Sequence, residues 1–571
     1  MRVRDESKMA IHKTMKDDNS KKIILEILRG LMAQKSITNT EKEIAAEEWI
    51  INYFRRLAYF QKFPERCGLF PLPDDPLRRS VVWALVTAET DTEAFPTVIL
   101  MGHHDVVSAD VYGEAADWAF DPDTITAHLD QDMLSSEAYT DLLSGDWIFG
   151  RGSCDMLGGT AVQMAVLAEQ AEAALQEELK NNQLRAGKTV PADKQMEEAL
   201  HVEEETDCNH SHGALLFVSV PDEESFSIGM RGMLPLLETI KERFRLDYRL
   251  VVCAEPNRRT ADGKTQIVSA GSIGKLLPVV LVQGKLVQIG SYRDGVNPLG
   301  ILSRIVAATE GDENFTEEVE GERSVPPVWM YARDLKDGYD FSLPRRAAGY
   351  CNILTFRKTP AQVLAYFLAK IKGAVADVPH PVSVLTWVTL WQQAKQHAGF
   401  EEFLRETEAE ADGLLRQHKT FPEVTLWLMQ RTLDFVQMDK PLVLLGFAPP
   451  YYPAVRSEEL RNAQRFAKYK NALAAWQSIQ IEPYFTGVSD CSYCGIPERE
   501  QSPVYQVNTP LWGKSYQFDV AALARLQIPF FLLGPWGKDL HQIGERVNRY
   551  SLTEEYPEVL KKLLQFVWLS D

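Results

Sequence analysis

Residues 97–105 read TVILMGHHD, and this stretch decides the fold. Its apolar run shows no alternation of polar and apolar positions, and it ends in a glycine followed by two histidines and an aspartate. Such a run reads as a strand buried on both faces, which is the habit of a mostly parallel sheet covered by helices. Four more runs follow the same plan: VVWALVT (81–87), GALLFVSVPDEES (213–225), YRLVVCAEPN (248–257) and IPFFLLGPWG (528–537). The helix-prone stretch GTAVQMAVLAEQAEAAL (159–175) lies between two of them and supports βαβ units. Near the start, Thr40 and Glu43 have the spacing of a capping box ahead of EKEIAAEEWIINYFRRLAYF (41–60), which carries helical periodicity.

The rest of the chain sets the organisation. At 571 residues it is too long for one ordinary core, so two domains are expected. Residues 170–212 are charged and helix-prone, end in HVEEETDCNHSH, and read as a surface insertion into the first domain. From about 266 the texture changes to GSIGKLLPVVLVQGK (271–285), a helix at PLGILSRIVAAT (298–309), PVWMYARDL (327–335), RAAGYCNILTF (346–356) and a helix after TPAQ (359–362). That order suggests a smaller α+β domain over 266–395, inserted into an α/β domain formed by 20–265 and 396–571. Residues 396–480 read as mainly helical.

Composition narrows the class. Hydrophobic residues make up 45% and charged residues 25%, as in a soluble globular protein. With 80 acidic against 61 basic residues the formal charge is −19, which argues against a nucleic-acid partner. No apolar run approaches the ~20 residues that span a bilayer. The first 22 residues are polar and lack the core of a signal peptide. Seven scattered cysteines do not form a disulfide framework. A cytoplasmic enzyme without membrane or nucleic-acid partners is the expectation.

Metal-compatible side chains gather just after the strand-like runs. His103 and Asp105 follow TVILMG, Glu223 and Glu224 follow LLFVSV, Glu255 follows RLVVCA, and His541 follows PFFLLG by a short loop. Asp155 lies in the glycine-rich GRGSCDMLGG (150–159) ahead of a helix. Sites in open α/β sheets form beyond the carboxyl ends of the strands, so these residues could converge. Imidazole and carboxylate suit zinc, and one carboxylate with two oxygens can bridge two metals that share an activated water. An unligated carboxylate is still needed to move the proton, and adjacent Glu223 and Glu224 could divide the two tasks.

GHHDVV, GRGSCDMLGG, PDEES, AEPN and GKDLHQIGERV together resemble, in order and spacing, the M20 family of metallopeptidases and deacylases. The resemblance implies a dinuclear-metal, aminopeptidase-like catalytic domain with an inserted α+β lid and dimerisation domain. It implies two divalent ions, zinc first, with cobalt or manganese tolerated. Asp155 would bridge them, with His103 and Glu255 on one side and Glu224 and His541 on the other. Glu223 would be the general acid/base and Asp105 would orient His103. His103 is preferred to His104 because Asp105 lies two positions on, on the same side of the strand. The implied substrate is an acyl-amino acid or short peptide bearing a carboxylate, and the lid implies a homodimer.

The lid departs from the family at one position. GKLVQIGSYRDGVNP (284–298) has Gln288 where many members carry a histidine that steadies the reacting carbonyl. Glutamine donates a hydrogen bond but carries no charge. Asn297 matches a substrate-contacting asparagine, and Asp490 in TGVSDC (486–491) matches a site-lining loop. A metal-binding relative without hydrolase activity is the alternative. A two-metal phosphoesterase would need Arg345, Arg346 and Arg357 as a phosphate clamp. DCNHSH (207–212) reads as a surface loop, and Cys491 with Cys494 as reduced thiols.

Overall fold

The structure, a computed structural model, describes residues 18–73, 75–87, 94–185, 213–417, 419–476, 478–485 and 487–570. The DCNHSH segment and most of the charged insertion lie outside the described residues. The chain forms two units: Met1–Ala270 with Ser457–Glu482 and Leu526–Asp571, and Gly271–Arg456 with Pro483–Arg525.

The first unit is built on an eight-stranded sheet. Its strands are β1 (Cys67–Pro71), β2 (Ser80–Val86), β3 (Phe95–His103), β4 (Ala214–Val220), β5 (Leu246–Cys253), β6 (Gln266–Ser269), β7 (Ile479–Glu482) and β8 (Phe530–Leu532). The spatial order is β1-β2-β4-β3-β5-β8-β6-β7. The central strands β4, β3, β5 and β8 run parallel, while β1, β2 and the β8–β6 contact are antiparallel. Every residue of β2 and β4 is buried, the outcome that unbroken apolar runs demand. Helix Leu157–Arg185 packs on β3 and β4, helix Lys42–Arg55 on β1 and β2, and helix Leu234–Arg243 on β5. The mostly parallel α/β class read from the sequence is therefore observed.

Register carries function here. His103 pairs with Val220 and Met101 with Cys253, so β3, β4 and β5 end on one edge of the sheet. A second, three-stranded sheet joins Trp147–Phe149 to Arg546–Asn548 and Gly537–Lys538. Its hairpin loop carries His541, and the chain leaving Trp147–Phe149 leads into the Asp155 loop.

The second unit holds a five-stranded sheet in the order Val328–Asp334, Arg346–Thr355, Gly274–Gln283, Leu442–Tyr452 and Ser383–Thr386. Helices Pro298–Thr309 and Pro360–Ala376 pack on each other, and helix Phe421–Phe435 packs on Leu442–Tyr452. The strand–helix–strand–strand–helix order expected from 271 onward is present. Residues 396–456 and 483–525, assigned by sequence to the first domain, pack instead in this unit. The cause is Leu442–Tyr452, an eleven-residue buried strand that pairs with Gly274–Gln283 far away in sequence.

One local expectation fails. Thr40 and Glu43 form no capping box: the Glu43 side chain is fully buried and accepts from Arg79 and from the amide of Asp222. Arg79 and the Asp222 amide occupy both oxygens of the Glu43 side chain, which leaves none to reach back to the helix start.

Gly158 and Gly159, in the first turn of helix Leu157–Arg185, let that helix close onto the sheet. A Cβ on Gly159 would lie 2.3 Å from the Ala254 carbonyl oxygen, next to Glu255. Gly159→Ala should therefore cost about 1–3 kcal/mol of stability through overpacking, read as a lowered urea midpoint. An unchanged midpoint would contradict the close helix–strand contact.

Candidate metal centre

All seven residues expected at the metal centre belong to the first unit, and most of them meet at one edge of its sheet. One potential ligand atom from each of His103, Asp155 and Glu224 lies within 4.8 Å of the other two. His103 Nε2 faces Asp155 Oδ1 at 3.4 Å, and His541 Nε2 lies 3.1 Å from Asp155 Oδ2. The two oxygens of one carboxylate thus address two separate imidazoles. His541 also lies 3.1 Å from Glu224. His104, by contrast, turns away to Ser219 Oγ at 3.0 Å.

The electrostatics are those of a cation site. Asp105, Asp155, Glu223 and Glu224 act on two imidazoles. Burial opposes a proton on His103, yet Asp155, Asp105 and Glu223 hold its pKa well above the usual value. His541, hydrogen-bonded to Asp155 and Glu224, is pushed up to about 10. Burial resists ionisation of Asp155, but the same two histidines hold it below the ordinary carboxylate range. His103 Nε2 is buried and makes no hydrogen bond. A buried ring nitrogen aimed at a carboxylate without bonding it, among oxygen donors, fits a divalent cation. Glu255 is 5% exposed at the end of β5 and sits beside Cys154, whose thiol is raised by burial and by Glu545, Asp155 and Glu255.

Two sets of residues that sequence reasoning missed hold this cluster. First, three consecutive amides are held by acidic side chains. The amides of Glu223 and Glu224 donate to Asp105 Oδ1 and Oδ2, both at 3.1 Å, and that of Asp222 donates to Glu43 Oε2 at 3.0 Å. Arg79 ties Glu43, Asp222 and Asp75 together at 2.8–3.1 Å. Burial and the nearby Asp105 push Glu43 up to about 9 against the pull of Arg79. Asp105 does touch His103 as expected, but through its backbone carbonyl, 2.8 Å from Nδ1, with its carboxylate at 3.6 Å.

Second, Glu545 accepts the amides of Gly152, Cys154 and Asp155 at 2.8, 3.4 and 3.3 Å. Its other oxygen takes Arg151, which donates in turn to the carbonyls of His541 at 3.1 Å and Ser108 at 3.2 Å. This buried pair therefore ties together the loops that carry Asp155 and His541. A buried acid four positions after a candidate ligand, in HQIGERV, was the only sequence hint.

The remaining site expectations fall in the second unit. Gln288 is exposed and its Oε1 accepts from the Gly290 amide at 2.9 Å. Asn297 caps helix Pro298–Thr309 through the Leu299 amide at 3.1 Å. Asp490 is buried at the start of a short 3₁₀ turn. Arg346 is engaged by Asp434 and Gln283, and Arg345 by Asp439, so neither is held ready for a phosphate.

A parallel-stranded α/β unit with a histidine–carboxylate cluster beyond its strand ends is the class of structure defined here. Known proteins then give it relatives, although no protein-family model matches the chain. YqjN, an uncharacterised protein of Bacillus subtilis, is 28% identical over 570 residues, 95% of each chain. RocB of the same organism is a homologue, 24% identical over 91% of this chain and 90% of its own. Among solved structures, the M20 family metallo-carboxypeptidase Sso-CP2 of Sulfolobus solfataricus aligns with 96% of this chain and 98% of its own, at a TM-score of 0.49 and 12% identity. No helix among the described residues is long and apolar enough to cross a membrane.

The Asp105 cradle makes a definite prediction. Asp105→Asn leaves one acceptor oxygen and sets an NH₂ group against the second amide. Affinity for zinc, measured by competition with a chromophoric chelator, should fall about 10–100-fold, as for other residues that orient ligands. Unchanged affinity would mean that the cradle does not position Glu224.

Proposed function

We propose that this chain is an M20-type two-metal hydrolase that cleaves the amide bond, peptide or N-acyl, of a small carboxylate-bearing substrate. The observation that carries this reading is Asp155, whose two oxygens serve His103 on one side and His541 on the other. Two divalent ions, zinc first with cobalt or manganese as alternatives, would be held by His103, Asp155 and Glu255 and by Asp155, Glu224 and His541. Bound there, they would acidify water and polarise the scissile carbonyl.

The residues account for the remaining work. Glu223 takes the proton of the attacking water and passes it to the leaving nitrogen. Its placement follows from its own amide on Asp105 and its neighbour's amide on Glu43. Glu224 is fixed by the other oxygen of Asp105. Gln288, Asn297 and Asp490 are proposed to contact substrate, and the second unit is proposed to mediate dimerisation. A place in amino-acid catabolism, arginine's included, is part of this proposal, as is a cytoplasmic location, which the composition supports.

Gln288 favours a second reading, in which the chain binds metal and acts as a binding or regulatory protein without turnover. The two are separated by Glu223→Gln, assayed on N-acyl amino acids and dipeptides alongside metal analysis. The hydrolase reading predicts turnover reduced about 10²–10⁴-fold with metal content kept. A metal-loaded wild type that is inactive across the panel, or a variant as active as wild type, would reject it.

A further inference from the structure

A cavity of about 540 Å³ lies in the first unit, and none of the metal-centre residues lines it. Its walls come from the start of helix 18–32, the turn after β5 and the segment 548–554, with Lys21, Arg259, Trp536, Arg549 and Tyr550 among them. That volume is in the range of small-molecule sites.

The charges in the wall sort into paired and unpaired. Lys21 pairs with Glu554 at 3.0 Å. Arg259 pairs with Glu555, donates to the Gly263 carbonyl and sits 4.6 Å from the Trp536 ring. Arg549 and Asp146 also line the cavity, both exposed, and neither side chain has an ion-pair partner among the described residues, including each other. Only their backbones meet, the Arg549 amide donating to the Asp146 carbonyl at 2.8 Å. Arg549 acts on Asp123 only at a distance, so the cavity offers one guanidinium and one carboxylate without an ion-pair contact, beside an indole and a phenol ring, Tyr550 being 60% exposed. Part of the wall, Thr553 and Glu554, belongs to a single turn of π-helix at Ser551–Glu555, a rare distortion that recurs at functional sites.

We propose that this cavity binds a zwitterion, a free α-amino acid or short peptide with an aromatic or apolar side chain. Arg549 takes its carboxylate in the forked geometry that guanidinium offers. Asp146 takes its ammonium group. Trp536 and Tyr550 cover its apolar part. The site stands on its own residues and does not depend on the chemistry proposed for the metal centre.

Calorimetric titration with L-phenylalanine tests it, using phenethylamine, which lacks the carboxylate, and 3-phenylpropionate, which lacks the ammonium group, as controls. The proposal expects saturable binding of L-phenylalanine and at least tenfold weaker binding of either control. It also expects at least tenfold loss in Arg549→Ala and in Asp146→Asn, both exposed positions whose variants should fold. Asp155→Ala, altered at the metal centre, should still bind. No binding up to about 10 mM, equal binding of the controls, or binding that survives Arg549→Ala and disappears in Asp155→Ala would overturn it, the last by assigning the ligand to the metal centre.

Discussion

A carboxylate that must serve two imidazoles with separate oxygens has almost no freedom to move, and Asp155 is in that position. Rotation about its Cβ–Cγ bond would loosen both contacts at once. Side-chain packing alone does not supply such restraint, because Asp155 stands on a loop and not on a strand. The restraint comes from below: Glu545 accepts the amide of Asp155 and two other amides of the same loop, while Arg151 binds the carbonyl of His541. A buried ion pair of this kind contributes little net stability after desolvation, and breaking it is costly. We read Arg151–Glu545 as a device of specificity, holding two loops in one arrangement.

The same logic governs the opposite side of the cluster. Charge-assisted hydrogen bonds are worth about 1.5–3 kcal/mol each, and two of them run from the amides of Glu223 and Glu224 to Asp105, beside the bond from the Asp222 amide to Glu43. Glu43 reaches this segment from helix Lys42–Arg55, so the packing of that helix on β1 and β2 bears directly on the cluster. Four carboxylates acting on two neutral imidazoles would carry a charge of −4, which two divalent ions balance. Protons on His103 and His541 are a poorer substitute, and the neighbouring carboxylates are what favour them.

Much of this was legible in the sequence, because strands buried on both faces leave unbroken apolar runs, and ligands at strand ends follow those runs at once. His103 and Glu224, which the fold brings together, could be found that way. Other features depend on crossings that no local pattern encodes. Glu43 has the spacing of a capping residue, and only the fold brings Arg79 and the Asp222 amide to it. Asp105 lies two residues from His103, which suggested ring orientation, but its carboxylate is taken by amides 118 and 119 positions away. The extent of the second unit was hidden for the same reason, since Leu442–Tyr452 reveals its membership only by pairing with Gly274–Gln283.

The central claim is that Asp155 is shared between two bound cations. Metal content per chain, measured by elemental analysis on protein purified without chelator and reloaded with zinc, tests it most directly, for wild type and Asp155→Ala in parallel. The account predicts about two ions per wild-type chain and loss of both in the variant, since neither half of the site is complete without that carboxylate. A wild type that holds no zinc, or a variant that keeps both ions, would contradict it.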